Sequence, residues 1–107
     1  MTFVFGEYGK ASIYSTSTNR GTKTASGIKL EDQAEMVAHK HHPFGTILKI
    51  TNLNNKKWTL GVVVDRGPFV KGRIVDLTTG VANKLLITKK QGLAPVKVEV
   101  VGKVNIK

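Results

Sequence analysis

The chain has 107 residues, of which 40% are hydrophobic, with three prolines and no cysteine; this suits a single domain spanning 1–107 and excludes a disordered tail, a disulfide scaffold and any thiol nucleophile. Seventeen Lys and Arg against seven Asp and Glu leave a formal charge of +10, spread without one basic block, which points to an anionic or polysaccharide partner. No apolar run approaches the ~18 residues of a membrane span, and Met1 to Lys10 does not read as a charged start followed by an apolar stretch, so neither a span nor an export signal is expected.

In chain order, Ala11 to Tyr14 reads as a first short strand. Ser15 to Gly27, dominated by Ser, Thr, Asn and Gly, reads as a surface loop with local hydrogen bonding and little to bury. Leu48 and Ile50 flank Lys49 within Thr46 to Asn52, and Asn54-Asn55 supplies two residues that tolerate positive φ, which predicts a hairpin. Its second arm, Trp58 to Val64, is nearly all apolar, as expected of a strand covered on both sides. Ile74 to Leu77 is a further short strand. Thr78 or Thr79 then caps a helix whose Val81, Ala82, Leu85 and Leu86 share one face and which ends near Ile87. Val96, Val98 and Val100 alternate with Lys97 and Glu99, the period-2 pattern of a strand with one buried face. Several short strands between Gly-rich turns with one helix predict an all-β barrel. A faint echo of Pro43-Phe44 in Pro68-Phe69, and of Ile50 to Leu53 in Ile74 to Leu77, would suit two related halves.

Asp65 emerges directly from the apolar run Val62 to Val64 and opens Asp65-Arg66-Gly67-Pro68-Phe69. Two readings stand: a partly desolvated carboxyl that donates a proton as a general acid, or an acceptor for the backbone of a tight Gly-Pro turn. Asp76 lies 11 residues later, either close enough to Asp65 for the two carboxyls to separate their proton affinities, or bound to N–H groups at the helix start. His39, His41 and His42 cluster beside Pro43-Phe44-Gly45; His39 follows a small apolar stretch and is expected to face inward, His41 and His42 to meet solvent. No acidic or thiol residue completes a metal-ligand spacing around them, so no metal is expected. Trp58 and the two tyrosines offer planes for sugar faces, with core packing the default for the single tryptophan. The lysines lack any recognition helix or aromatic–basic interleaving, so no specific nucleic acid is expected.

Taken together, the ordered segments Ala11 to Tyr14, Thr24 to Gly27, Ala38 to Lys40, Pro43 to Thr46, Thr51 to Leu53, Asp65 to Phe69 and Gly72 to Thr78 resemble the double-psi β-barrel domain of the rare lipoprotein A family, the septal lytic transglycosylases related to expansin barrels. The resemblance runs from about Tyr8 to Val101. It implies a six-stranded double-psi β-barrel with one short α-helix, whose groove takes peptidoglycan glycan strands and cuts them without water to 1,6-anhydro ends. It also implies Asp65 as acid and His39 as its groove partner, with Asp76, Tyr14, Arg66 and Thr24 contacting substrate. No cofactor is implied, a monomer is expected, and the family resemblance places the chain in the cell envelope or outside the cell. Two departures stand out: Ile28 occupies a place where the family often has Glu, and Ile13 one where it favours Trp. They weaken the cutting expectation, and the missing Glu favours a non-catalytic, expansin-like glycan-binding module; a structural virion or tail barrel that has lost the site is a third reading. Glu31, Asp32 and Glu35 are the nearby acids.

Overall fold

A computed structural model describes residues 6–16 and 21–106; residues 17–20 of the predicted Ser15 to Gly27 loop lie outside them. Six strands, β1 (Glu7–Ile13), β2 (Met36–Ala38), β3 (Thr46–Asn52), β4 (Trp58–Asp65), β5 (Arg73–Leu77) and β6 (Leu93–Lys103), close into a barrel in the order β1-β5-β2-β4-β3-β6, with one helix, α1 (Thr79–Lys84), between β5 and β6. β1 with β5 and β2 with β4 are parallel; the other four pairings are antiparallel. Parallel neighbours need crossovers rather than tight turns, and these carry the loops at which the chemistry-bearing residues sit.

Alternation builds the interior. Leu48 and Ile50 of β3 and Ala94, Val96 and Val98 of β6 point inward and are buried, each larger aliphatic contributing about 1.5–3 kcal/mol relative to exposure. β4 departs from the expected two-sided burial: Thr59, Gly61 and Val63 are buried, but Trp58 is 56% exposed and Leu60 is also open to solvent. Lys49 on the neighbouring strand sits 4.7 Å over the Trp58 ring, so this tryptophan decorates the outer wall rather than the core.

The β3–β4 turn also departs from expectation. Asn54 and Asn55 do not take the positive φ; Lys56 does, at 66°. The asparagine side chains instead bind backbone: Asn54 N donates to Asn52 Oδ1 (3.0 Å), Lys57 N to Asn55 Oδ1 (2.9 Å), and Asn52 Nδ2 to Leu85 O (2.9 Å). Asn52 is 2% exposed, so it pins the hairpin to the end of α1 through buried bonds. Asn52→Ala is expected to lower stability by about 2 kcal/mol and the melting temperature by roughly 10 °C, read by circular dichroism.

α1 begins as predicted, with Thr78 as N-cap accepting from Val81 N and donating to Ala34 O (2.6 Å). It ends earlier. Leu85 is the C-cap, and Leu86, expected on the buried face, has φ 57° and is exposed, while Ile87 returns to the core. β2 was visible only as a small apolar stretch; three residues are too few to show a period.

Candidate functional site

Register places the acids. Across β4, β2, β5 and β1, Asp65 pairs with Ala38, Ala38 with Asp76, and Asp76 with Ser12. The two aspartates therefore lie on strands flanking β2, whose axes are roughly 10 Å apart. Tyr14 follows β1 and is fixed by its N–H to Leu77 O (2.9 Å).

Asp65 braces the turn it opens, the second of the two roles offered for it. Its Oδ1 accepts from Arg66 N and from Ala25 N, both at 2.9 Å, the turn-bracing role expected of an aspartate here. Its Oδ2 takes no hydrogen bond from the described residues, and the residue is half-buried. Asp76 does not cap the helix; Ser12 Oγ donates to its Oδ1. Burial raises the Asp76 pKa above the ordinary aspartate value, and the Asp65 charge adds to the rise, against the lowering effects of the Ser12 bond and Arg73. Asp76 thus keeps its proton to higher pH than a free aspartate. The Tyr14 phenol is likewise pushed up, first by burial and then by Asp65 and Asp76, and its buried hydroxyl has no partner among the described residues. Three oxygen-bearing groups thus share one electrostatic neighbourhood, and the Tyr14 hydroxyl is an unmet donor beside two carboxyls.

Gly67 makes the turn beside them possible. Its φ is 128°, and a Cβ there would stand 3.4 Å from Asp76 Oδ2. The turn carries Phe69 outward, 77% exposed, an apolar plane at the lip of the acid pair.

His39 faces inward as expected and is sealed, at 1% exposure. Its N–H pairs with Asp65 O (3.1 Å), so the backbones are neighbours, yet the imidazole has other company. Nδ1 accepts from His41 N and His42 N (both 3.2 Å), and Nε2 lies 2.9 Å from Glu7 Oε1. Burial lowers its pKa, with Glu7 opposing and His42 and His41 assisting. The ring braces the 39–42 turn.

Arg66 and Thr24, expected to contact substrate, are also committed inside the fold. Arg66 Nη1 donates to His42 O (2.8 Å) and His39 O (3.2 Å), and its guanidinium lies 4.0 Å over the Phe44 ring. Buried Thr24 donates to Ile28 O and pairs with Ser26 Oγ (3.0 Å), while Ser26 N donates to Val64 O (3.1 Å). The Thr24–Ile28 loop is thereby clamped onto the end of β4, where Ala25 reaches Asp65. A cavity of about 590 Å³, lined by Ser26, Phe44 and residues 103–106, adjoins this clamp. Asp65 and Asp76 are not in its lining.

Of the acids near Ile28, Asp32 accepts from Thr16 N (2.8 Å) and Thr16 Oγ1 (3.2 Å), and Glu35 pairs with Lys84 (2.6 Å). Sequence reasoning missed Glu7. Strand β1 brings it to His39 and His42, each with Nε2 2.9 Å from Glu7 Oε1; no spacing rule signals a ligand 32 residues upstream of His39.

The described helices include none long and apolar enough to cross a membrane. Among curated proteins, the chain is 46% identical over 82 residues to the endolytic peptidoglycan transglycosylase RlpA of Campylobacter jejuni, covering 77% of this chain and 30% of that protein. It is 40% identical over 96 residues to a probable endolytic peptidoglycan transglycosylase RlpA of Nostoc sp., covering 89% of this chain and 26% of that one. The chain thus spans about a third or less of these relatives. Among solved structures, the Streptomyces papain inhibitor superposes with a TM-score of 0.72 at 17% identity, over 92% of this chain and 96% of that one. A Clavibacter michiganensis expansin in complex with cellohexaose gives 0.71 at 18%, over 96% and 54%. These likenesses establish the double-psi barrel expected from the sequence. The profile of the family described as lytic transglycolase matches residues 7–98, nearly the whole barrel, and the chain belongs to that family.

Proposed function

We propose that this barrel is the cutting domain of an endolytic peptidoglycan transglycosylase, acting as a monomer on glycan strands of the cell envelope and leaving 1,6-anhydromuramyl ends. The observation that carries the reading is the divided Asp65 carboxyl: Oδ1 is fixed by two backbone N–H groups, while Oδ2 takes no hydrogen bond from the described residues and shares an electrostatic neighbourhood with Tyr14 and Asp76. In the proposed reaction, protonated Asp65 gives its proton to the glycosidic oxygen as the bond from the muramic anomeric carbon breaks. The resulting carboxylate takes the proton of the muramic C6 hydroxyl as that oxygen closes onto the same carbon. Atoms balance without water, and one carboxyl serves both halves. Asp76, which burial makes hold its proton to higher pH than a free aspartate, limits negative charge next to Asp65, and the buried Tyr14 phenol sits in the same electrostatic neighbourhood. His39, Arg66 and Thr24 hold the walls rather than touch the glycan.

Ile28 favours a second reading, a glycan-binding module that grips without cutting, because an apolar side chain in the place of an acid supplies no proton. Incubation with bacterial sacculi and with peptide-free glycan strands separates the two. Cutting yields anhydromuramyl ends by mass spectrometry; pelleting with sacculi without such ends selects the binding module; a chain that neither cuts nor pellets removes the peptidoglycan reading. With a +10 charge, pelleting is expected to weaken between low salt and 0.5 M salt, since attractions between exposed charges are screened beyond roughly 10 Å already at 0.1 M.

A further inference from the structure

Glu7, His39, His41 and His42 each offer a donor atom, and these four atoms lie within 4.8 Å of one another. Tetrahedral zinc with bonds of 2.0–2.1 Å sets its ligands roughly 3.3 Å apart, so the group is already near that spacing. It is assembled from two distant pieces of chain, the first residue of β1 and the turn after β2. The three imidazoles are packed on one another with ring centroids 4.2–5.2 Å apart. Two of them converge on a single carboxylate oxygen. Neutral imidazoles and a carboxylate are the ligand types that late first-row divalent ions select.

The hydrogen bonds assign the roles. His39 Nδ1 faces two backbone N–H donors, so it carries the lone pair and Nε2 carries the proton, donated to Glu7 Oε1. His39 therefore has no lone pair left for an ion; it is a positioning residue that orients the Glu7 carboxylate, as partners of metal-binding carboxylates do. His42 is under no such restriction: its Nε2 becomes a ligand when its proton moves to Nδ1. His41 is exposed and Glu7 and His42 are half-buried, which leaves a route for the ion and a fourth position for water.

We infer that Glu7, His41 and His42 form a three-ligand site for a divalent transition ion, zinc above all, with His39 holding Glu7 in place. The site is separate from the acid pair and goes beyond the proposed cutting activity. It would tie the start of β1 to the 39–42 turn, whose carbonyls hold Arg66 next to Asp65.

The test is a zinc titration of the untagged, chelator-treated chain, followed by calorimetry and by circular dichroism to confirm folding. One zinc per chain is expected, with Glu7→Gln and His42→Ala each weakening binding at least tenfold. A second measurement on unsubstituted protein keeps the inference falsifiable if a variant does not fold. Imidazole ¹⁵N spectra should show the ring signals of His41 and His42 moving to metal-bound positions while the His39 Nε2 proton persists. Absence of stoichiometric binding, equal affinity in both folded variants, or loss of the His39 Nε2 proton on zinc addition overturns it.

Discussion

Asp65→Asn is expected to reduce formation of 1,6-anhydromuramyl ends by about 10²–10⁴-fold, the usual contribution of a positioned general acid. The substitution is shaped to isolate chemistry. An asparagine oxygen in the place of Oδ1 still accepts from Ala25 N and Arg66 N, so the Thr24–Ile28 clamp and the Arg66 turn remain, and melting should move by only a few degrees. The amide that replaces Oδ2 holds no transferable proton. Rates are read by mass spectrometry of released ends from peptide-free strands, beside sacculus pelleting as a check on binding. A folded Asp65→Asn protein that cuts at the wild-type rate removes Asp65 from the reaction and shifts attention to Asp76, whose proton burial holds to higher pH than in a free aspartate. Comparable pelleting with lost cutting ties the loss to proton transfer rather than to grip.

Gly45→Ala should be the most damaging of the conservative changes, lowering stability by about 3–5 kcal/mol and the melting temperature by more than ~12 °C. Gly45 has φ 93°, and a Cβ there would lie 2.3 Å from the Val104 carbonyl oxygen. That carbonyl belongs to backbone and cannot rotate away like a side-chain tip. Gly45 also bonds on both sides, N–H to Val63 O and O from Val104 N, each at 2.8 Å, so it locks the turn before β3 to β4 and to the segment after β6. Thermal melts of purified protein decide the matter; a shift under ~4 °C would mean that the 104–106 segment yields easily. Those residues also line the cavity beside Ser26 and Phe44, so a moderate loss accompanied by altered glycan binding would locate the yielding there.

The parts legible in the sequence were those fixed by local physics. Alternation exposed β3 and β6, because Leu48, Ile50, Val96 and Val98 each face one buried layer. The Thr78 cap was legible because its chemistry is contained within a few residues. Long-range partners were not. The outward exposure of Trp58 depends on the absence of a covering layer over β4, which no local pattern encodes. The positive φ at Lys56 rather than at an asparagine follows from Asn52 and Asn55 reaching Leu85, some thirty positions on. In the site, Asp65 and Asp76 stood out by their places at the ends of apolar runs and Tyr14 through the family resemblance, and register brings their strands together. The sealing of His39 was invisible because its partner Glu7 arrives from β1, and the bonds from Arg66 to the His39 and His42 carbonyls likewise join segments more than twenty residues apart.

β6 is bonded to β1 along one edge and to β3 along the other, and it is the last of the six strands in the chain. Until it is in place, the ring is an open ribbon with two unsatisfied edges, one offered by β1 and one by β3. Much of the ordering entropy must therefore be spent before the final seam returns its bonds, so during synthesis the earlier strands should remain a fluctuating collapsed chain, vulnerable to proteases and to self-association through those edges. Maturation of this barrel is in that sense a single late event, governed by the emergence of its closing strand from the ribosome.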